Sequence, residues 1–451
     1  MVTLALRTLR HRTGGFLATF AATFLGATIL MAFGSLLDTA AAGVDPATEE
    51  TLTLVASVAG GWCLLIVAFA VASTLTLAVR QRDREMALLR SIGATPGQVG
   101  RMIVVEAVVV AFVAAVVAIP AGFGLGRLLF RLLVETEQVG AGVAHRFGFI
   151  AVGIGVGVTV LGALLATLVT TRRIARLSAH QALVADEPQR MGWKRVTLGW
   201  LLVAAGANCG LLTVLLFSDA GSDAMQTAGQ ASIYASAGLA LLSPVLIRGV
   251  TAVLAVPLTR FGGASGYLTV ANLRRRSQQM AGALMPIILF TGISLGTLVM
   301  QSVENRATDD GGTIPASMER NIETLNLVVV GMLALFAAIM LVNTLVAAIT
   351  YRRREFGQQR LTGATPGQVR RMVGAESAVL AVTGVLFGSL ASLATIVPYT
   401  IARTDRLVPD APALIWPAIA GVAVVLTMAA SIGTARRALR TPATEAVGLT
   451  A

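Results

Sequence analysis

The feature that most limits how this chain can fold is a set of long apolar runs without charge. Leu52 to Val79 contains no charged residue, and a helix needs about 20 apolar residues to cross a bilayer. Ten such blocks can be drawn, at 15–37, 53–79, 102–126, 149–170, 197–217, 232–257, 281–302, 324–350, 373–400 and 412–434. Only 13% of residues are charged and 55% are hydrophobic, whereas a soluble domain carries about 25% charge. A soluble enzyme and a disordered chain are both excluded. The expected fold is an all-α polytopic membrane protein with ten transmembrane helices.

The charge pattern orients the helices. With the N-terminus in the cytoplasm, the clusters Arg80–Arg90, Arg172–Arg195, Arg274–Arg276, Arg352–Arg371 and Arg436–Arg440 all lie on the inner side, with most of the 35 Lys and Arg. Asp38, Asp45, Glu49, Glu50, Asp219, Asp309 and Asp310 lie outside. Removing one span would invert everything after it, so the positive-inside rule supports ten spans with both termini cytoplasmic. The net charge of +12 is then a signal of sidedness, and no nucleic-acid partner is expected. The run Gly15–Leu37 is too long for a signal-peptide core of about 7–15 residues and reads as the first span. Cys63 and Cys209 sit inside apolar blocks and suggest no disulfide framework. His11, His145 and His180 are scattered, so no metal site is expected.

The chain contains a repeat. Gly93-Ala94-Thr95-Pro96-Gly97-Gln98-Val99 recurs unchanged as Gly363 to Val369, 270 residues later. At the same offset Arg82, Arg84, Glu85, Arg101 and Glu106 meet Arg352, Arg354, Glu355, Arg371 and Glu376. The expected organisation is a first four-helix repeat over 1–185, a linker with two spans over 186–262, and a second four-helix repeat over 263–451. Both repeats start inside, so they are parallel.

Each copy of the repeated segment reads as a helix, a corner and a second helix. Glu85, Leu89 and Ile92 lie on the first helix. Gly93 is placed to stop it. Thr95 then suits an N-cap, Pro96 the first helical position and Gln98 the third, which completes a capping box. The second copy follows the plan with Glu355, Phe356, Leu361, Gly363, Ala364, Thr365, Pro366 and Gln368. A short cytoplasmic helix joined stiffly to a membrane helix can transmit a push. Its apolar stripe fits either a groove on a partner or the lipid headgroups. Duplication favours a partner that is itself a dimer. No phosphate-binding loop G-x-x-x-x-G-K-[ST] occurs, and Lys194 is the single lysine. The chain is therefore expected to hydrolyse no ATP and to hold no cofactor.

Glu85-Met86-Ala87-Leu88-Leu89-Arg90-Ser91-Ile92-Gly93-Ala94, followed by Thr95 to Val99 and Glu106-Ala107, resembles the FtsX-like permease domain, as does Glu355 to Glu376. Gln359-Arg360-Leu361-Thr362 departs from the usual Leu-Arg-x-Ile pattern. Ten spans arranged as four, two and four resemble the duplicated BceB and MacB-related permeases of type VII-like ABC transporters. The resemblance implies a bacterial cell-membrane protein whose repeated helix is a coupling helix docked on a cytoplasmic ATPase. That ATPase would bind ATP and Mg, with two copies per chain, and would drive the membrane helices by mechanotransmission. Relatives often carry a large extracytoplasmic domain, and none is expected in the short segments 38–52 and 303–323.

Three polar residues inside apolar blocks stand out: Glu106, Glu376 and Arg248. An intramembrane ionisable group is a functional candidate by default. The plainer reading has each Glu hydrogen-bonded near the inner surface, to Arg101 or Arg371. Arg248, between Pro244 and Gly249, either snorkels or marks a break. Gly122, Gly124 and Gly126, then Gly153, Gly155 and Gly157, and Gly384 with Gly388 offer small faces for helix packing.

Three functions follow. The leading one is an ABC-transporter membrane subunit that exports a hydrophobic or amphipathic compound, such as a peptide antibiotic or lipid, or extracts it from the outer leaflet. The second is a regulator that controls an extracytoplasmic enzyme or a sensor kinase without transport. The third, an ion-coupled carrier using Glu106 and Glu376, is disfavoured by the parallel repeats and doubled corner.

Overall fold

The computed structural model describes residues 13–448 apart from 81–88, 90, 92, 141, 176–191, 217–221, 276, 310–330, 332–333, 336–337, 343, 347 and 351. The described residues are helical, with no strand among them. The helices are α1 Thr13–Ala40, α2 Pro46–Arg80, α3 Pro96–Glu135, α4 Phe149–Ala175, α5 Trp193–Leu216, α6 Ser222–Leu241, α7 Ser243–Arg275, α8 Ser277–Asp309, α9 Arg353–Leu361, α10 Pro366–Thr404, α11 Ile415–Leu439 and α12 Ala443–Val447. Described positions between 338 and 350 are also helical. Among the described residues, eight helices are long and apolar enough to cross a membrane, so the chain is a multi-pass membrane protein. The second and eighth apolar blocks are described only in part.

Helices α1–α4 form one compact unit and α5–α12 another. In the first unit, α1 is the central helix and packs on α2, α3 and α4. Met31 is fully buried and presses on α3 at Gly122 and on α4 at Gly155, where an added Cβ would lie 2.8 and 2.3 Å from its side chain. Gly126 receives Ser35 in the same way. Gly124, Gly153 and Gly157 face open space, so the glycine pattern marks the packed face only at alternate positions.

The far end of α1 grips the loop before α4. The Asp38 carboxylate accepts the backbone N–H groups of Gly148 (2.8 Å), Ile150 (3.1 Å) and Ala151 (2.8 Å). These are orphan donors at a helix N-terminus, where a negative charge is also favoured by the helix dipole. The Thr39 hydroxyl accepts from Arg146 N at 3.0 Å, and His145 Nε2 lies 3.0 Å from Ser35 Oγ. His145 also sits against the rings of Phe123 and Phe130. Burial holds its pKa below the usual value, Arg127 pushes the same way, and Asp38 opposes them.

In the second unit, α8 and α10 run side by side in the same direction. Ile287 meets Gly384, Thr291 meets Gly388, and Thr395 lies near Gly296. Helix α6 lies against both: Ser232 N donates to Thr395 Oγ1 at 2.8 Å, Thr395 Oγ1 donates to Ala228 O, and Ser236 contacts Gly292. A side chain on these glycines would drive the backbones apart.

The sixth apolar block, 232–257, is not one helix. It breaks at Leu242 between α6 and α7, because Pro244 has no N–H for the carbonyl of Ala240. The Ser243 hydroxyl donates to that carbonyl instead. The part of this region that is long and apolar enough to cross a membrane is Ser243–Phe261, at the start of α7. Gly263, at φ 53° and ψ −141°, then reverses α7 on itself. Gly266 packs so close to the Leu258 carbonyl that a Cβ would lie 2.0 Å from it. Arg248 follows the break, and its Nε donates to Ser277 Oγ at 2.8 Å.

Two outcomes test this packing. Gly388→Leu should lower the thermal stability of the detergent-solubilised protein by about 1–3 kcal/mol through overpacking. Gly124→Leu should stay within about 0.5 kcal/mol. Equal effects would place the glycine contacts wrongly. For His145, the folded state resists protonation, so acidification below the ordinary histidine value of about 6.5 favours the unfolded chain. Between pH 7.5 and 5.5 the wild type should lose more thermal stability than His145→Gln.

Candidate functional site

The two corners are built alike in their described residues. Gly93 has φ 99° and Gly363 φ 100°, values at which a Cβ is strained. In the second copy Gly363 N donates to Arg360 O (3.1 Å) and Ala364 N to Gln359 O (2.9 Å), the paired bonds of a Schellman stop. In the first, Ala94 N donates to Leu89 O at 3.0 Å. Both capping boxes close. Gln98 N donates to Thr95 Oγ1 (3.3 Å) and Thr95 N to Gln98 Oε1 (3.0 Å). Gln368 N donates to Thr365 Oγ1 (3.2 Å) and Thr365 N to Gln368 Oε1 (2.9 Å). Pro96 and Pro366 occupy the first helical turn.

A small apolar cluster locks each corner to the helix that follows. Ala94 and Leu89 pack on Val99 and Ile103. Ala364 and Phe356 pack with Val369, Met372 and Val373. The apolar stripe expected on the second short helix is thus divided: Phe356 is buried in the chain's own core, while Leu361 is 48% exposed. Gly93, Thr95, Gln98, Gly363, Thr365, Pro366 and Gln368 form exposed surface. Glu85 and Ile92 lie outside the described residues.

Sequence reasoning missed what holds α9 from behind. Arg360 Nη1 donates to Thr441 O (2.7 Å) and Leu439 O (3.2 Å), and Arg353 donates to Thr441 Oγ1. Gly357 is buried against Ala443, Ala446 and Val447 of α12. The signal was available in Gly357, a helix-weakening residue that no turn requires.

Glu376 is 2% exposed and lies about three turns into α10. Its partner is not Arg371, which is exposed, but Arg352, the residue just before α9. Arg352 Nη1 bonds Glu376 Oε2, and Nη2 donates to Oε1 at 3.3 Å. Asn272 Nδ2 of α7 donates to Oε1 at 2.8 Å. Arg352 also holds Glu355, with Nε 3.2 Å from Oε2, and stacks over the Phe356 ring at 5.2 Å. Burial works against the charge on Arg352, but Glu376 and Glu355 outweigh it and raise its pKa above the ordinary guanidinium value. One buried carboxylate therefore ties α7, α9 and α10 together. Glu106, its counterpart in α3, is 1% exposed, and Arg82, the counterpart of Arg352, lies outside the described residues. At the other end of α10, Arg403 grips Glu304 of α8 with two bonds of 2.8 and 2.9 Å, and the buried Tyr399 donates to the same carboxylate. Among the described residues, no group of three or more His, Cys, Asp or Glu is placed to hold a metal ion.

The sequence model described as FtsX-like permease C-terminal matches residues 57–179 and again 327–443, together more than half of the chain. The chain belongs to the FtsX-like permease family. Each match contains one corner and the buried glutamate beyond it. This FtsX-like permease is also similar to a Bacillus subtilis (strain 168) protein described as "Uncharacterized ABC transporter permease YknZ", at 33% identity over 84 residues. That stretch is 19% of this chain and 21% of the relative, so the chain matches about a fifth of the relative's length.

Removing one member of the buried pair should cost more than removing both. Arg352→Leu should destabilise the solubilised protein by about 3–5 kcal/mol, because it strands a buried carboxylate. Arg352→Leu combined with Glu376→Leu should recover much of that loss. A double-mutant cycle with no coupling would show that the pair is not formed.

Proposed function

We propose that this FtsX-like permease is the membrane subunit of an ABC transporter, driven by a separate cytoplasmic ATPase that binds ATP and Mg. The observation that carries this reading is the pair of exposed corners, built alike at Gly93–Gln98 and Gly363–Gln368 and each locked to a long apolar helix. A capped corner with its own apolar lock moves with the helix it begins. In this reading the basic ends of the helices face the cytoplasm, the ten spans form two parallel repeats around a two-span linker, and each corner receives one ATPase. Displacement of α9 reaches α10 through Arg352–Glu376 and α7 through Asn272. The outward work is export, or extraction from the outer leaflet, of a hydrophobic or amphipathic compound. The loop between α1 and α2 is only residues 41–45, too short to fold as a capturing domain, so the helices themselves would meet the substrate.

Gly97 and Gly367 give a clean test, because both lie in the first turn after a corner and no other part of the chain crowds them. Co-expressed with an ATPase encoded beside the gene, Gly97→Arg and Gly367→Arg should each remove one docking site. Each should weaken stimulation of the ATPase, and together they should reduce binding at least ten-fold, the scale of a lost interface anchor. Unchanged co-purification and stimulation in the double variant would remove the coupling assignment. Transport by the chain alone in liposomes without ATP would replace the reading with an ion-coupled carrier.

A further inference from the structure

The coupling reading uses helix α7 only through Asn272. The two arms of this helix, 243–262 and 264–275, fold against each other at Gly263 and Gly266. One side of the first arm packs inward through Leu246, Ile247, Val250, Leu254 and Leu258. The other side is apolar and bare: Val253 is 77% exposed, Val256 68% and Phe261 85%, with Tyr267 at 66% on the second arm. Between the arms runs an open groove of about 260 Å³, walled by Ala255, Val256, Val270 and Ala271, with Tyr267 and Arg274 at its edge.

Charge decides what covers this surface. Helix α7 carries Arg248, Arg260, Arg274 and Arg275 and no acidic residue. Arg248 is engaged with Ser277, and Arg260 and Arg274 are exposed. The first arm, Ser243–Phe261, is long and apolar enough to cross a membrane, and arginines with an amphipathic tyrosine at and beyond its end are the pattern of a helix end at the headgroups. The chain is a membrane protein, so the adjacent apolar medium is lipid.

We infer that the α7 hairpin is a binding site for an anionic phospholipid, with an acyl chain along the groove and the headgroup phosphate at Arg274, which edges it. The site goes beyond ATPase coupling and does not depend on it. It bears on the same machinery, because Asn272 on the second arm holds Glu376 at 2.8 Å, so lipid seated on α7 steadies the element that contacts the clamp.

The test uses the full chain reconstituted in phosphatidylcholine vesicles with spin-labelled phosphatidylglycerol or spin-labelled phosphatidylcholine. The relative association constant is read from the motionally restricted lipid. Both leaflets carry the label, so the result is independent of sidedness and of any ATPase. Wild type should prefer phosphatidylglycerol. An arginine near an anionic headgroup contributes roughly five-fold, so Arg274→Gln should lower the preference by about that factor. Arg371→Gln, an exposed arginine on α10, should leave it unchanged. Ala271→Phe, which fills the groove, should lower phosphatidylglycerol retention while Arg274 remains. Absence of preference in wild type, or a preference that survives Arg274→Gln undiminished, would overturn the site. Competition by inorganic phosphate would also overturn it, because it would identify a free-anion site without a role for the acyl chain.

Discussion

In hydrocarbon no water is available to backbone N–H and C=O groups, and each must find a partner within the chain. At several helix starts and breaks of this protein a short polar side chain therefore stands in for the missing helical bond. Ser243 bonds the carbonyl that Pro244 leaves free. Asp38 reaches from α1 to three donors at the start of α4. Thr95 and Thr365 close the two corners. Within helices, Thr23, Thr159, Thr297 and Thr383 turn their hydroxyls back to the carbonyl four residues earlier, so buried polar residues need no partner across the bilayer.

With the backbone satisfied, helix association rests on close packing, because lipid is as apolar as leucine. One pair of long helices in each unit, α1 with α3 and α8 with α10, is brought together by small residues against larger ones: Gly122 and Gly126 against Met31 and Ser35, Gly384 and Gly388 against Ile287 and Thr291. A smooth contact of this kind permits sliding. In the second unit Arg403–Glu304 pins the α8–α10 contact at its far end, while Arg352–Glu376 ties α10 to the start of α9. The charged pairs therefore fix register that packing alone leaves less determined.

The sequence made some of this legible for definite reasons. The corners were readable because glycine at positive φ and a Thr-Pro-x-Gln capping box are local rules that no tertiary context changes. The all-helical fold was readable because apolar length alone specifies it. The break at Leu242 was only one of two readings of Arg248 beside Pro244, because a proline inside a hydrophobic block looks like any other apolar residue to a hydropathy count. The reversal at Gly263 had a signal in Gly262-Gly263-Ala264-Ser265-Gly266 that the same count passes over. Partner choice was the least readable. Arg371 lies five positions before Glu376, and Arg352 lies 24 before it, yet only Arg352 reaches the carboxylate, because α9 folds back beside α10.

The position of the clamp explains why a charged pair sits where an apolar contact would be cheaper. Replacing a buried ion pair with hydrophobic residues is often neutral for stability, so stability alone does not account for it. An apolar contact among Ala364, Phe356 and Met372 already holds the corner together. The pair adds direction: two guanidinium bonds and one amide bond converge on a single carboxylate, and their geometry admits one arrangement of α7, α9 and α10. A rotation of α9 that slips past apolar neighbours breaks these bonds unless α10 follows. The clamp thus makes the short helix and the long one a single lever, which is the property a corner needs if force applied outside the bilayer is to do work within it.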